Sequence, residues 1–508
     1  MSTPGITRLD GRERRMPTRL TTDVVVVGSG PAGAAVAATV AAAGARCIVV
    51  EEGRWWQPAE LHEDTLSAMA DYYRDFGATV AMGPAPMPIV QGRAVGGTSL
   101  VNGAICWRLP RDVFDEWLTD PGLADAWDWP LIESLMDRVE QRLHIAPTDP
   151  AVAGPNNLLL GRGAEALGLE HRPINRNVVG CVGLGRCLQG CPEGHKLSMD
   201  HSYLLDAEAA GATILSSTTV QGVRLGDRAG GRRAVGVTAR TAAGTTITVD
   251  ARRAVVLAAS AVHTPALLLR SGLADGPVGR HFMCHPGVSV AGRFAEPVRM
   301  WTGATQGHEV TGLRREGLKF EALGFGKAMV AARLPGAGSA LAAEVAGIDH
   351  WANWGAAVRA TGEGRVTLGR GGRAARPTVR FGLSALDVRR FRRGTAVLAH
   401  MMLAAGAESV RLGVHGWTQP VTDAAEVDRF AANGPLAARA YSTAATHLFG
   451  TARMGTDPAT SVVRADLRHH SVEGLYVADS SVFPSNTGVN PQTSIIAVAL
   501  RCGEHVIA

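Results

Sequence analysis

The chain has 508 residues, 61 of them glycine, with 46% hydrophobic and 5% aromatic content and a formal net charge of +5. That length suits two domains around a large shared core. The few aromatics show no base-stacking pattern and no apolar run reaches membrane-spanning length, which excludes a nucleic-acid binder and a helical membrane protein.

In chain order, Met1–Leu20 reads as a flexible extension, because the apolar stretch behind Arg14-Arg15 is a strand and helix rather than a removable leader. Residues 23–53, DVVVVGSGPAGAAVAATVAAAGARCIVVEEG, follow as strand, glycine turn, helix, strand and acid. In this G-x-G-x-x-G, Gly28 allows the tight turn, Gly30 lets backbone approach a pyrophosphate, and Gly33 packs helix on strand. The helix N-terminus points its amides at phosphates. Glu51, with Glu52 beside it, ends the second strand where ribose hydroxyls would donate to it. This unit predicts a dinucleotide site without choosing between NAD and FAD.

Further along come GRAVGGTSLVNGAICWR (92–108), a cysteine loop with Cys181, Cys187 and Cys191, and strand-like ATILSSTTVQGVRL (212–225). RRAVVLAASAVHTPALLLRSG (252–272) reads as strand, turn and helix, and GRHFMCHPG places His281 and His285 in a structural loop. GRVTLGR and PTVRFGL read as strands of an antiparallel sheet, and ALDVRRFRRGTAVLAHMMLAAG as a long helix. Its cluster Arg389-Arg390-Phe391-Arg392-Arg393 reads as a solvated face. The C-terminal stretch carries HLFGTARMG (447–455) and YVADSSVFPSNTGVNPQTSIIAVALR (476–501). Pro491 suits the first position of a helix continuing through Gln492–Ala499.

These blocks, in this order across residues 22–505, resemble the glucose–methanol–choline (GMC) family of flavin oxidoreductases. The resemblance implies an α/β fold: a Rossmann-like FAD-binding domain with a sheet-plus-helices substrate-binding domain. Placed by the motifs, the FAD-binding domain is discontinuous over residues 20–115, 200–290 and 440–508, and the substrate domain takes 116–199 and 291–440. The implied chemistry is oxidation of an alcohol by hydride transfer to flavin N5. His447 matches the family's general base and Asn490 the position that holds the substrate oxygen. The helix after Pro491 and Gln492 would face the flavin edge that gains negative charge.

By the same resemblance Gly96, Gly97, Ser99, Asn102 and Gly103 approach the pyrophosphate and the flavin ring. Asp479 matches an acid near the phosphate–ribitol region, or serves as a simple cap, and the Val220 backbone is expected near adenine. Val101 stands where some members carry a flavin-linking histidine, so the FAD is expected to be non-covalent. The partners expected are an alcohol and oxygen or another electron acceptor. The seven cysteines form no secreted disulfide framework, and the expected location is cytoplasmic. Cys181, Cys187 and Cys191 read as free or packed thiols. An iron–sulfur cluster, as in cytochrome-linked relatives, a zinc site completed by His195 or His201, and a disulfide are the alternatives. A non-redox lyase of the same family is the alternative activity. No second GxGxxG and no C-x-x-x-x-C follow, which disfavours a disulfide reductase.

Overall fold

Two sheets organise the chain in a computed structural model that describes residues 7–228, 231–369, 371 and 375–508. The first has nine strands among the described residues. Its main order is Arg8–Asp10, Thr213–Ser216, Cys47–Val50, Arg19–Val27, Thr246–Leu257, Gly231–Thr241 and Thr218–Arg228. The first five run parallel and the last two return as antiparallel hairpins. Val24, Val25 and Val26 are fully buried, as a β-branched run covered on both faces must be. Burying each such side chain contributes roughly 1.5–3 kcal/mol. The Ala-rich helix Pro31–Ala42 packs against helices Tyr203–Ala209 and Gln492–Ile507. Its small side chains permit that close layering.

The second sheet has eleven strands among the described residues. Its centre is Ala444–Phe449, Arg280–Arg293, Trp351–Val358 and Leu318–Ala322, all antiparallel neighbours. Two parallel pairings, of Thr79–Met82 with Pro377–Phe381 and of Met87–Ile89 with Ala444–Phe449, complete it. Gly364–Leu368 and Pro377–Phe381 are the expected strands, and Ala385–Ala404 is the long helix. Arg370 of the GRVTLGR motif lies outside the described residues. Strands at 79–89 and 444–449, and most of 280–293, sit in this second sheet, although the motif-based division places them on the flavin side.

Four sequence expectations are corrected. The N-terminal segment is not wholly a free extension: Arg8–Asp10 pairs in parallel with Thr213–Ser216, Arg8 makes a two-pronged bond to Glu208 at 2.8 Å, and Met16 is buried. An edge strand with an ion-paired anchor needs no long apolar run, which is why composition concealed it; residues 1–6 lie outside the described residues. His281 and His285 are strand rather than loop residues, within Arg280–Arg293. Pro491 caps the last helix, which begins at Gln492. The Arg389–Arg393 run is only partly a solvated face. Phe391 is fully buried, while Arg390 and Arg392 donate to main-chain carbonyls of Glu316, Arg359, Ala432 and Gly434.

Candidate active site

The glycine turn is built as its spacing requires. Gly28 has φ +101°, and a Cβ there would stand 2.4 Å from the Ala258 carbonyl oxygen. A Cβ on Gly33 would lie 1.9 Å from the Gly28 oxygen, whereas one on Gly30 would meet only Gly97 Cα, at 3.9 Å. Gly33 thus serves packing, and Gly30 presents open backbone. Glu51 is buried and accepts from Ser29 N at 2.9 Å, Ser29 Oγ at 2.7 Å and Gly53 N at 2.8 Å. Burial raises its pKa, against the pull of those bonds. Glu52 instead pairs with Arg74.

Gly96 and Gly97 lie against this turn, where Gly96 N donates to Ser29 Oγ at 3.0 Å. Ser99 spends its hydroxyl on loop geometry, donating to Gly96 O and accepting from Met199 N. Asn102 Nδ2 donates to Gln492 Oε1 at 2.6 Å, joining the loop to the start of the last helix. Gly103 lies under Gln306, whose Oε1 would be 1.9 Å from an added Cβ. Asp479 accepts from Ser260 N, Thr264 Oγ1 and Ser481 N, capping one turn and anchoring helix Ser260–Arg270. Val220 is buried at a bulge of Thr218–Arg228.

His447, half-buried on Ala444–Phe449, meets His285 across the sheet, Nδ1 to Nδ1 at 3.2 Å. His285 Nε2 lies 3.1 Å from Asn486 Oδ1 and 2.9 Å from Gly488 N. Asn490 is buried, and its Oδ1 accepts from Lys319 Nζ at 2.8 Å. Lys319 is itself buried, paired with Glu309 at 2.7 Å and with Glu321. Glu309 also accepts from Trp107 Nε1 at 2.6 Å and Arg172 Nε at 2.8 Å. Against the cost of burial, Lys319 holds Glu309 below the usual carboxylate range, and the two carboxylates hold Lys319 charged. Burial and then Lys319 push His447 down to about 3, so its ring is neutral. Burial and His447 likewise depress His285.

Sequence reasoning missed Lys319, Glu309 and His285. One signal was present: LKFEA alternates, with Leu318, Phe320 and Ala322 in the core and Lys319 and Glu321 on the opposite face. His285 carries no comparable signal, since only strand pairing sets it beside His447.

All seven cysteines are free thiols. Cys181, Cys187, Cys191 and His195 border one cavity of about 20 Å³, yet among the described residues no three His, Cys, Asp or Glu side chains form a metal-binding group. His201 is bonded to Asp200 at 2.8 Å.

The N- and C-terminal domain profiles of GMC oxidoreductases match residues 25–287 and 360–499. An uncharacterised GMC-type oxidoreductase of Mycobacterium tuberculosis is 38% identical over 496 residues, covering 97% of this chain and 77% of that protein. A long-chain-alcohol oxidase of Arabidopsis thaliana is 29% identical over 96% of this chain and 68% of its own. Among solved structures, a mutant formate oxidase of Aspergillus oryzae, studied for FAD modification, superposes with TM-score 0.73 at 19% identity, covering 96% and 98% of the two chains. With both domain profiles matched and a 38%-identical relative aligned over 97% of it, this chain belongs to the GMC oxidoreductases, a family of FAD-binding flavoenzymes.

Proposed function

We propose that the chain binds FAD non-covalently and oxidises an alcohol to an aldehyde or ketone, with His447 as general base and Asn490 holding the substrate oxygen. The observation that carries this reading is the hydrogen-bonded path from His447 through His285 to Asn486 and Gly488, which ends two residues before Asn490, whose Oδ1 accepts from the buried Lys319. The residues fit FAD. The open backbone at Gly30 leaves room for a pyrophosphate, and Gln91 Oε1 and Ser494 Oγ are buried polar atoms without protein partners. Gly28, Gly33, Glu51, Gly96, Gly97, Asn102, Gly103 and Gln492 would frame the cofactor; Glu52, Ser99 and Asp479 would act by holding that frame. Val101 offers no atom for a covalent link.

FAD, when bound, supplies the hydride acceptor. The chain's own task is to move the hydroxyl proton and steady the oxygen. With the proton between the two Nδ1 atoms carried by His447, His447 Nε2 is left as a proton acceptor; Asn486 Oδ1 and the Gly488 N–H both face His285 Nε2 and favour opposite tautomers of it. Since Asn490 Oδ1 is occupied by Lys319, its Nδ2–H₂ group is left to donate to the substrate oxygen, with a positive charge behind it. Anaerobic rapid mixing with a panel of alcohols tests the reading: bleaching of the flavin by an alcohol is the expected result. Turnover of a substrate with no flavin reduction at any stage would favour the lyase instead.

A further inference from the structure

The cysteine loop falls outside the alcohol chemistry, and its side chains are arranged around a guanidinium. Arg176 is 1% exposed; its two terminal nitrogens point at Cys187 Sγ (3.1 Å) and Cys181 Sγ (3.8 Å), and its Nε has no protein partner. The five residues between the thiols fold back through Gly183 and Gly185, both at positive φ, with Gly183 O accepting from Gly303 N at 2.8 Å. Both thiols border the 20 Å³ cavity, which has room for a water-sized molecule and little more. Lys196, fully buried, donates to the Cys187 carbonyl at 2.8 Å and to those of Leu100 and Asn102 at 2.7 and 3.0 Å.

We propose that Cys187 is a peroxide-oxidisable thiolate and that Cys181 is the thiol that resolves it into a disulfide. The cations explain the reactivity: although burial disfavours a charged sulfur, Arg176 and Lys196 bring the Cys187 thiol below its ordinary range. In the first step the Cys187 thiolate attacks hydrogen peroxide; an S–O bond forms, the O–O bond breaks and hydroxide leaves. Cys181 then attacks the Cys187 sulfur, the S–O bond breaks, and water departs with the Cys181 proton. The two thiols lose two electrons, and one peroxide is reduced to hydroxide and water. Forming the bond takes the Cys187 sulfur off Arg176 and loads the main chain that Lys196 ties to Leu100 and Asn102. The pair therefore reports to the Gly97–Asn102 loop. This inference is independent of the proposed alcohol chemistry.

The test uses the purified, fully reduced full-length protein treated with hydrogen peroxide, then mapped by tryptic mass spectrometry with a sulfenic-acid trap. Cleavage after Arg186 separates Cys181 from the peptide that holds both Cys187 and Cys191, so a disulfide from Cys181 joins two peptides and fragmentation of the pair assigns its partner. Wild type should yield that cross-link with loss of two thiols. Cys181→Ser should instead accumulate trapped sulfenic acid at Cys187, and Cys187→Ser should give neither product. Before oxidation, Cys187 should alkylate at neutral pH roughly tenfold faster than Cys181 or Cys191. If Cys187→Ser does not fold, the wild-type alkylation order and cross-link decide alone. A cross-link to Cys191, oxidation that spares Cys187, or stoichiometric iron or zinc on the three thiols would overturn the proposal.

Discussion

Gly28, Gly30, Gly33 and Glu51 lie on a single βαβ unit, whereas His285, Lys319, His447 and Asn490 arrive from four separated segments. The first group acts through backbone shape, and its demands are met by neighbours in sequence: a Cβ on Gly33 strikes the oxygen of Gly28. The second group acts through side-chain charge, which the pairing of distant strands sets in place. Damage at the nucleotide end should therefore be steric and near-complete, while damage at the catalytic end should be electrostatic and graded.

The largest effect separates two neighbouring glycines. Gly33→Val forces a side chain into the Gly28 carbonyl and should abolish both soluble folded protein and bound flavin. Gly30→Val meets only Gly97 Cα at Cβ, so the chain should still fold with its normal circular dichroism but purify colourless. A yellow Gly30→Val protein would show that the pyrophosphate does not approach there.

At the catalytic end, His447→Ala should keep the flavin and its spectrum, yet slow anaerobic flavin reduction by about 10²–10⁴-fold, the usual contribution of a positioned base. Wild-type rates in the folded, flavin-replete variant would place the base elsewhere. Asn490→Ala should cost less, because it removes an orienting donor and leaves the base in place. A larger loss at Asn490 than at His447 would reverse the two roles.

Legibility in the sequence follows the same division. The βαβ unit was readable because glycine spacing and a terminal acid are covalent-scale constraints, and residues 23–53 contain all of them. The strands at 364–368 and 377–381 and the helix at 385–404 were readable as local strand and helix signals; the reciprocal cap of Ser384 and Asp387 that starts the helix is seen only in the structure. His447 and Asn490 were legible only through family resemblance. His285 was hidden because a strand bulge between Cys284 and Pro286 sets its approach to His447. Lys319 was hidden because a lysine between apolar residues reads as solvent-facing until Glu309 and Glu321 are seen to neutralise it. The Arg8–Asp10 strand was hidden because its stabilising contacts, with Glu208 and Trp55, are far along the chain or outside the strand.

The smallest expected effect is an absence of pH dependence, and it tests whether charge governs the catalytic end. A base must be unprotonated, so the reduction rate falls as pH drops through its pKa. With His447 at about 3, the rate should stay level from pH 8 to pH 5, showing no step near the ordinary histidine value of about 6.5. Removing the cation alone would strand buried carboxylates at a cost of about 3–5 kcal/mol, so the informative variant is Lys319→Met combined with Glu321→Gln. That exchange deletes one charge of each sign and leaves Glu309 paired with Arg172. Burial, the larger cause, persists, so the His447 pKa should rise only part of the way towards its ordinary value. The acid limb of the flavin-reduction profile should move up with it. A limb near pH 6.5 in the wild type, or one unmoved in the double variant, would mean that Lys319 serves the sheet rather than the histidine.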